Sequence, residues 1–248
     1  EAIDFIDFNT IGLLFGMMVI VGITRKSGVF EYVAIKAAHT TGGDPVKTMI
    51  ALSVVTAVAS ALLDNVTTVL LVVPVTISIC NALEVNPIPM FIAEILSSNI
   101  GGTATLIGDP PNIMIGSATG LGFMDFVINL TPVVIVILIV TLFLLKLIYQ
   151  KGLQTTDENK ARLMAMDPNG AIKDPILLKR SLAVIGIVIL GFVSHQYLHL
   201  ESATIAIAGA ALLMLISREN PEEALLTVEW ATLFFFVGLF ILVGGLGK

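Results

Sequence analysis

The sequence predicts an all-α polytopic membrane protein, and three observations carry that prediction. Hydrophobic residues make up 56% of the 248 positions and charged residues only 13%, against about 25% charge in a typical soluble domain. The mean hydropathy is +0.97, and several uncharged runs are long enough to span a bilayer. Lys and Arg are confined to alternate loops, as the orientation rule for membrane proteins requires. A net charge of −6 without a basic face gives no footing for nucleic acid, and the single Cys80 excludes an internal disulfide or a cysteine metal cluster. The chain opens at Glu1 without Met or a basic leader and stops at Lys248, one residue past an apolar run. Both ends read as cuts in a longer chain.

In order along the chain, residues 1–47 hold a first span, Phe8–Thr24, closed by Arg25 and Lys26, and an amphipathic stretch, Val29–Thr41, suited to the interface. Residues 48–83 carry one charge, Asp64. Each arm beside it is about 24 Å long at 1.5 Å per residue, short of the ~30 Å hydrocarbon core. The segment is therefore expected to be a re-entrant hairpin with Asp64–Thr68 at its tip. The alternative for Asp64 is a cap on a tight turn between two ordinary helices. Residues 84–122 are apolar but interrupted by Gly101-Gly102 and Asp109-Pro110-Pro111-Asn112, a transmembrane helix broken into halves. Residues 123–151 hold an unbroken span, and 152–175 are a polar loop expected to be cytoplasmic and mobile. Residues 176–217 hold two more spans, and 218–248 one further helix, Trp230–Gly247. His39, His195 and His199 sit at interfaces without ligand-spaced partners.

With Phe8–Thr24 running inward, residues 25–47 hold four basic residues, 146–180 seven, and Arg218 one, so twelve of thirteen fall inside. Asp7–Lys26 and Glu229–Lys248 align at an offset of 222, sharing Thr10/Thr232, Gly16/Gly238, Val21/Val243, Gly22/Gly244 and Lys26/Lys248. The charges give the two segments opposite orientation. That is the pattern of an inverted-topology transporter repeat. The chain then holds the first repeat and only the first helix of the second, and by itself is expected to present a half-built site.

The chemistry concentrates in two places. At the hairpin tip, Asp64, Asn65, Thr67 and Thr68 offer oxygens at the apex of two apolar arms. In the broken helix, Glu94, Ser97, Ser98 and Gly101 share one face. Gly101 and Gly102 can end the helix. Its last carbonyls, with the Ser97, Ser98, Asn99, Thr103 and Thr105 oxygens, suit a small hard cation such as Na⁺. Gly108 leads to Asp109 at an N-cap position, and Pro110, Pro111 and Asn112 open the second half-helix. Glu94 is either a coupling carboxylate or a polar contact that holds helices together. Non-helical backbone at membrane depth persists only where protein buries it or a cavity wets it, so the two breaks are expected to meet.

The runs Asp64-Asn65-Val66-Thr67-Thr68 and Ser98–Asn112 closely resemble the P-protein-like branch of the ion transporter superfamily, which groups with arsenite permeases and NhaD-type sodium/proton antiporters. The resemblance implies a scaffold domain that dimerises and an elevator-type transport domain whose hairpin tip and broken helix form one ion and substrate site. It implies a non-enzymatic permease for a small inorganic ion or oxyanion of the arsenite/anion type, in the plasma membrane, with lipid as its surroundings. It implies no cofactor beyond Na⁺ or H⁺ as coupling ion, Na⁺ being expected at Asn65, Asn99, Thr103 and Asp109. Sodium/dicarboxylate relatives carry Ser-Asn-Thr at the tip and Thr before Pro-Pro-Asn. Asp64 and Asp109 stand here instead, which fits proton or sodium coupling, by symport or antiport, better than bare dicarboxylate binding. A Na⁺/H⁺ antiporter without organic substrate and an anion channel are the alternatives within transport. An aspartyl hydrolase dyad of Asp64 and Asp109 is a remote one.

Overall fold

A computed structural model describes residues 3–198 and 200–246, without the side chains of 195–198. Gly247, Lys248, His199 and the His195 side chain, singled out above, lie outside the described residues. The described residues form helices and no strands. In chain order the α-helices are α1 (Phe8–Arg25), α2 (Val29–Thr40), α3 (Pro45–Ser60), α4 (Asn65–Leu83), α5 (Ile88–Gly102) and α6 (Pro110–Thr119). They continue as α7 (Phe123–Tyr149), α8 (Asp157–Met164), α9 (Pro175–Leu198), α10 (Ser202–Ser217), α11 (Pro221–Leu225) and α12 (Trp230–Leu246). Among the described residues four stretches are long and apolar enough to cross a membrane: Phe8–Arg25, Asn65–Leu83, Phe123–Tyr149 and Pro175–Ser194. The hairpin arms are therefore unequal. Pro45–Ser60 is a shorter apolar helix, whereas Asn65–Leu83 has the length of a crossing. The chain divides into two compact units, one of residues 1–27, 110–125 and 175–248, the other of 28–109 and 126–174.

The first unit is built on α1 and α10. A Cβ on Gly12 would lie 2.9 Å from Ala203 Cβ, and one on Gly16 2.6 Å from the Ala206 backbone. Gly209 lies against Ile20. Positions 12, 16 and 20 thus meet 203, 206 and 209 in turn, so the helices run parallel and touch almost backbone to backbone, as small residues allow between membrane helices. Asn9 Oδ1 accepts from the Ala203 amide at 2.9 Å, satisfying a donor at the start of α10. Gly191 meets Ile205 while Val188 meets Gly209, so α9 is antiparallel to α10. The Phe15 and Trp230 rings are 6.0 Å apart, and Gly244 abuts the Phe5 ring, so α12 is antiparallel to α1. That is the relation that opposite orientation of the matched segments demands.

Two polar devices close the ends of α1. Asp7 caps its start, accepting from the Asn9 and Thr10 amides at 3.0 and 3.2 Å and from Thr10 Oγ1 at 2.6 Å. Burial pushes the Asp7 carboxyl up, but hydrogen bonds from Ser117 and Thr10 outweigh it and hold the group below its ordinary value. Lys26 Nζ, at the other end, bonds Glu219 at 2.6 Å and Glu223 at 2.9 Å. The Glu219 bond chiefly raises the Lys26 pKa.

In the second unit, Gly101 of α5 lies against the Ala57 backbone of α3, and Gly102 against Ser60, so α3 and α5 are parallel. Cys80 meets Met90 at 3.2 Å and Thr76 meets Glu94 at 2.5 Å, so α4 runs antiparallel to α5. Ala34, Ile35 and Ala38 of α2 join a core with Met49, Leu52, Ile79 and Leu83. The polar loop expected to be mobile is instead packed into this unit. Leu153 and Leu163 are 4% and 0% exposed. Thr155 and Asn159 donate to the Leu83 carbonyl at 2.5 and 3.3 Å, supplying the partner a helix C-terminus lacks. Arg162 bridges Glu84 and Glu158. Hydrophobic anchors spaced within a polar segment fixed its position, against its overall composition.

Candidate functional site

The turn joining α3 to α4 is set by Asp64. Its backbone is extended and its Oδ1 accepts from the Thr67 amide at 2.8 Å, while Thr68 Oγ1 donates to the Asp64 carbonyl at 2.9 Å. Asp64 thus caps a tight turn and places Asn65 just after it, at the start of α4. Asn65 Nδ2 donates to Asn99 Oδ1 at 3.0 Å, and Asn99 Nδ2 donates to the Ile95 carbonyl at 2.8 Å. The hairpin tip and the end of α5 therefore meet, as two polar interruptions of apolar segments should.

The break in the helix is a tight fold-back. Helix α5 ends at Gly102, where Thr103 Oγ1 donates to the Asn99 carbonyl at 2.9 Å and the Ala104 amide to the Gly101 carbonyl at 3.0 Å. A Cβ on Gly108 would sit 2.5 Å from the Gly102 carbonyl oxygen and 2.6 Å from that of Ser60. Only glycine lets these three backbones converge. Thr105 Oγ1 donates to the Ala61 carbonyl at 2.5 Å and accepts from the Gly108 amide at 3.2 Å. Thr131 Oγ1 of α7 donates to the Ala104 carbonyl at 3.0 Å. Irregular backbone is thereby satisfied inside protein.

At the end of the fold-back the Asp109 carboxylate is close enough to Asp64 for their charges to interact. No Lys or Arg occurs between Lys47 and Lys146, so neither carboxylate has a basic partner from that stretch of chain. The second unit therefore brings Asp64, Asn65, Asn99, Thr103, Thr105 and Asp109 into one region of amide, hydroxyl and carboxylate oxygens, framed by Gly101, Gly102 and Gly108. Thr67 and Thr68 complete the turn, and Ser98 bonds back to the Ile95 carbonyl at 3.0 Å. Glu94 lies seven residues before Gly101, about 10 Å down the helix, and is fully buried on Thr76. Pro110, Pro111 and Asn112 open α6, which packs on α1 in the first unit. Helix α6 begins at Pro110, where the Asp-Pro step places it.

Sequence reasoning did not identify Ser53, Ser60, Thr76 and Thr131. The first two had a readable signal, because Ser53, Thr56, Ala57 and Ser60 recur at three- and four-residue spacing in an otherwise aliphatic helix. Thr76 and Thr131 had none, since their partners are remote in sequence.

Residues 1–248 match the family described as citrate transporter. A Mycobacterium tuberculosis protein described as an uncharacterized transporter is 48% identical over 244 residues, 98% of this chain and 56% of its own length. A 46 kDa membrane protein of Mycobacterium leprae is 44% identical over 243 residues, 98% of this chain and 57% of its own. The human P protein is 32% identical over an alignment of 318 residues, 99% of this chain and 38% of its own. The chain spans about half the length of the curated relatives it matches from Mycobacterium. The resemblance to P-protein-like ion transporters is thus borne out, and the chain belongs to the citrate transporter family of integral membrane proteins.

Proposed function

We propose that the protein is a secondary active transporter that moves a small ion or oxyanion with Na⁺ or H⁺ coupling, and that it performs no catalysis. The observation that supports this reading is the junction of the hairpin tip with the broken helix. Asn65 bonds Asn99 there, and Asp64 and Asp109 lie within electrostatic reach of each other with no Lys or Arg supplied by residues 48–145. Paired carboxylates among amide and hydroxyl oxygens attract a cation. Na⁺ is assigned to Asn65, Asn99, Thr103 and Asp109, with Asp64 completing the charge. A free anion is repelled by this pair, so the cation binds first and the anion second. A citrate-type carboxylate is the second reading, favoured by the family's description. On this reading the protein lies in the plasma membrane as a dimer. Its Lys- and Arg-rich loops are cytoplasmic, and the hairpin unit moves as an elevator.

Uptake into proteoliposomes, with arsenite and citrate offered in turn under inward Na⁺ or pH gradients, tests this. Concentrative uptake that depends on the gradient supports a coupled carrier. Downhill flux of the same size without any gradient marks a channel and sinks the proposal.

A further inference from the structure

Below the tip, the interior of the second unit holds polar atoms that its hydrogen bonds do not account for. Glu94, Ser53 and Ser97 are each 0% exposed. Glu94 Oε1 accepts from Thr76 Oγ1 at 2.5 Å, yet Glu94 Oε2, Ser53 Oγ and Ser97 Oγ have no hydrogen-bond partner among the described residues. Buried polar groups are rarely left so. A buried carboxylate oxygen without a partner is the most costly kind. A buried serine in a helix has an easy way out, bonding the carbonyl one turn back, as Thr56 does to Leu52 at 2.8 Å. Ser53 and Ser97 do not take it.

The helix register sets these residues along one stretch of the α3–α5 contact. Gly101 lies on Ala57 with α3 and α5 parallel, so one turn back Ser97 is level with Ser53. Glu94 is one further turn along the same face of α5, and Thr76 brings α4 to it. Three helices thus contribute oxygens to one interior stretch, about 6 to 10 Å from the break at Gly101.

We propose that Glu94, Ser97, Ser53 and Thr76 form a second, interior site for one monovalent cation, Na⁺. This deepens the cation-coupled reading above by adding an ion position distinct from the one at the tip. A cation satisfies a carboxylate oxygen and two hydroxyl oxygens at once through their lone pairs. A proton on Glu94 would leave both serines orphaned and add a donor that itself needs an acceptor. Cys80 of α4 is the titratable neighbour within electrostatic reach of Glu94, and it supplies no positive charge. No Lys or Arg from residues 48–145 does either.

The test is the Na⁺ dependence of the melting temperature in lipid nanodiscs, with choline chloride holding ionic strength constant. Wild type, Glu94→Gln, Ser97→Ala and Asp109→Asn are compared. Glu94→Gln and Ser97→Ala should each weaken the Na⁺ midpoint by about tenfold or more, the scale of a lost bond to a charged group. Asp109→Asn should keep a Na⁺ response that adding Glu94→Gln removes. If Glu94→Gln does not fold, Ser97→Ala and Ser53→Ala decide. Wild-type midpoints in the Glu94 and Ser97 variants overturn the site. So does a Glu94→Gln protein in which only the pH dependence changes. A wild type that shows no gradient-driven uptake but keeps its Glu94-dependent Na⁺ shift would sink the transport reading and leave this site standing.

Discussion

The two units use the same scaffold device for opposite ends. Each is organised on a parallel helix pair in nearly backbone contact, α1 with α10 through Gly12 and Gly16, and α3 with α5 through Gly101. In the first unit the hydroxyls beside that pair return to their own chain. Thr24 bonds Ile20 at 2.7 Å, Ser27 bonds Thr24 at 2.6 Å and Ser217 bonds Leu213 at 2.6 Å. Ser117 of α6, which reaches Asp7, and Ser181 of α9, which has no partner, are the exceptions among its described residues. In the second unit Ser53, Ser60, Ser97 and Glu94 keep unpartnered oxygens in the interior, and hydroxyls such as Thr105 and Thr76 reach across to other helices. Close packing by itself is therefore not the mark of the site. The second unit differs in leaving more buried polar atoms without a hydrogen-bond partner among its described residues, each costly in a low-dielectric interior.

The strongest break in this comparison is steric. Gly101→Val drives a side chain into the Ala57 backbone, which cannot yield, and should destabilise the second unit by about 3 kcal/mol and abolish uptake. Gly238→Val in α12, where a Cβ meets nothing within 4 Å, should leave the melting temperature nearly unchanged. Next in size, Asp109→Asn should reduce the gradient stimulation of uptake by about tenfold or more, because one of two charges facing the cation is gone. Unchanged ion dependence would demote Asp109 to the start of α6.

Hydroxyl deletions sharpen the contrast. Thr105→Val orphans the buried turn around Ala61 and Gly108 and should cost about 1–3 kcal/mol in chemical unfolding. Thr24→Val removes only a local bond within α1 and should cost under about 1 kcal/mol; equal losses would erase the distinction between the units. The smallest effect concerns Asp7. Its folded pKa is depressed, so its charge contributes stability that is present above the ordinary carboxyl value of 3.8 and is lost as pH falls through the folded value. Asp7→Asn keeps a capping oxygen and should remove only that pH-dependent part, a few tenths of a kcal/mol. Melting curves from pH 6 down to 3 check the sign.

Much of the architecture was written in local chemistry. The apolar runs, Asp64 as a cap, Gly-Gly as a helix end and Asp-Pro-Pro as a helix start each act within a few residues. They were legible because their physics is local, and the observed spans begin and end close to where they point. The pairing of tip and break also followed, because buried polar backbone must find partners and only one other polar interruption was on offer. The loop after α7 resisted, because its composition is polar while Leu153 and Leu163, the two residues that anchor it, act only through contacts with distant helices.

What the sequence by itself determined is the membrane class, the helix boundaries and the identity of the polar tip, since hydropathy, capping and turn chemistry depend on neighbours along the chain. What only the tertiary structure decided is the register of α3 against α5. That register sets Thr105 on Ala61 and brings Ser97 level with Ser53. It is fixed by where glycines allow two backbones to touch, and contact between segments more than thirty residues apart leaves no trace in the spacing of either one.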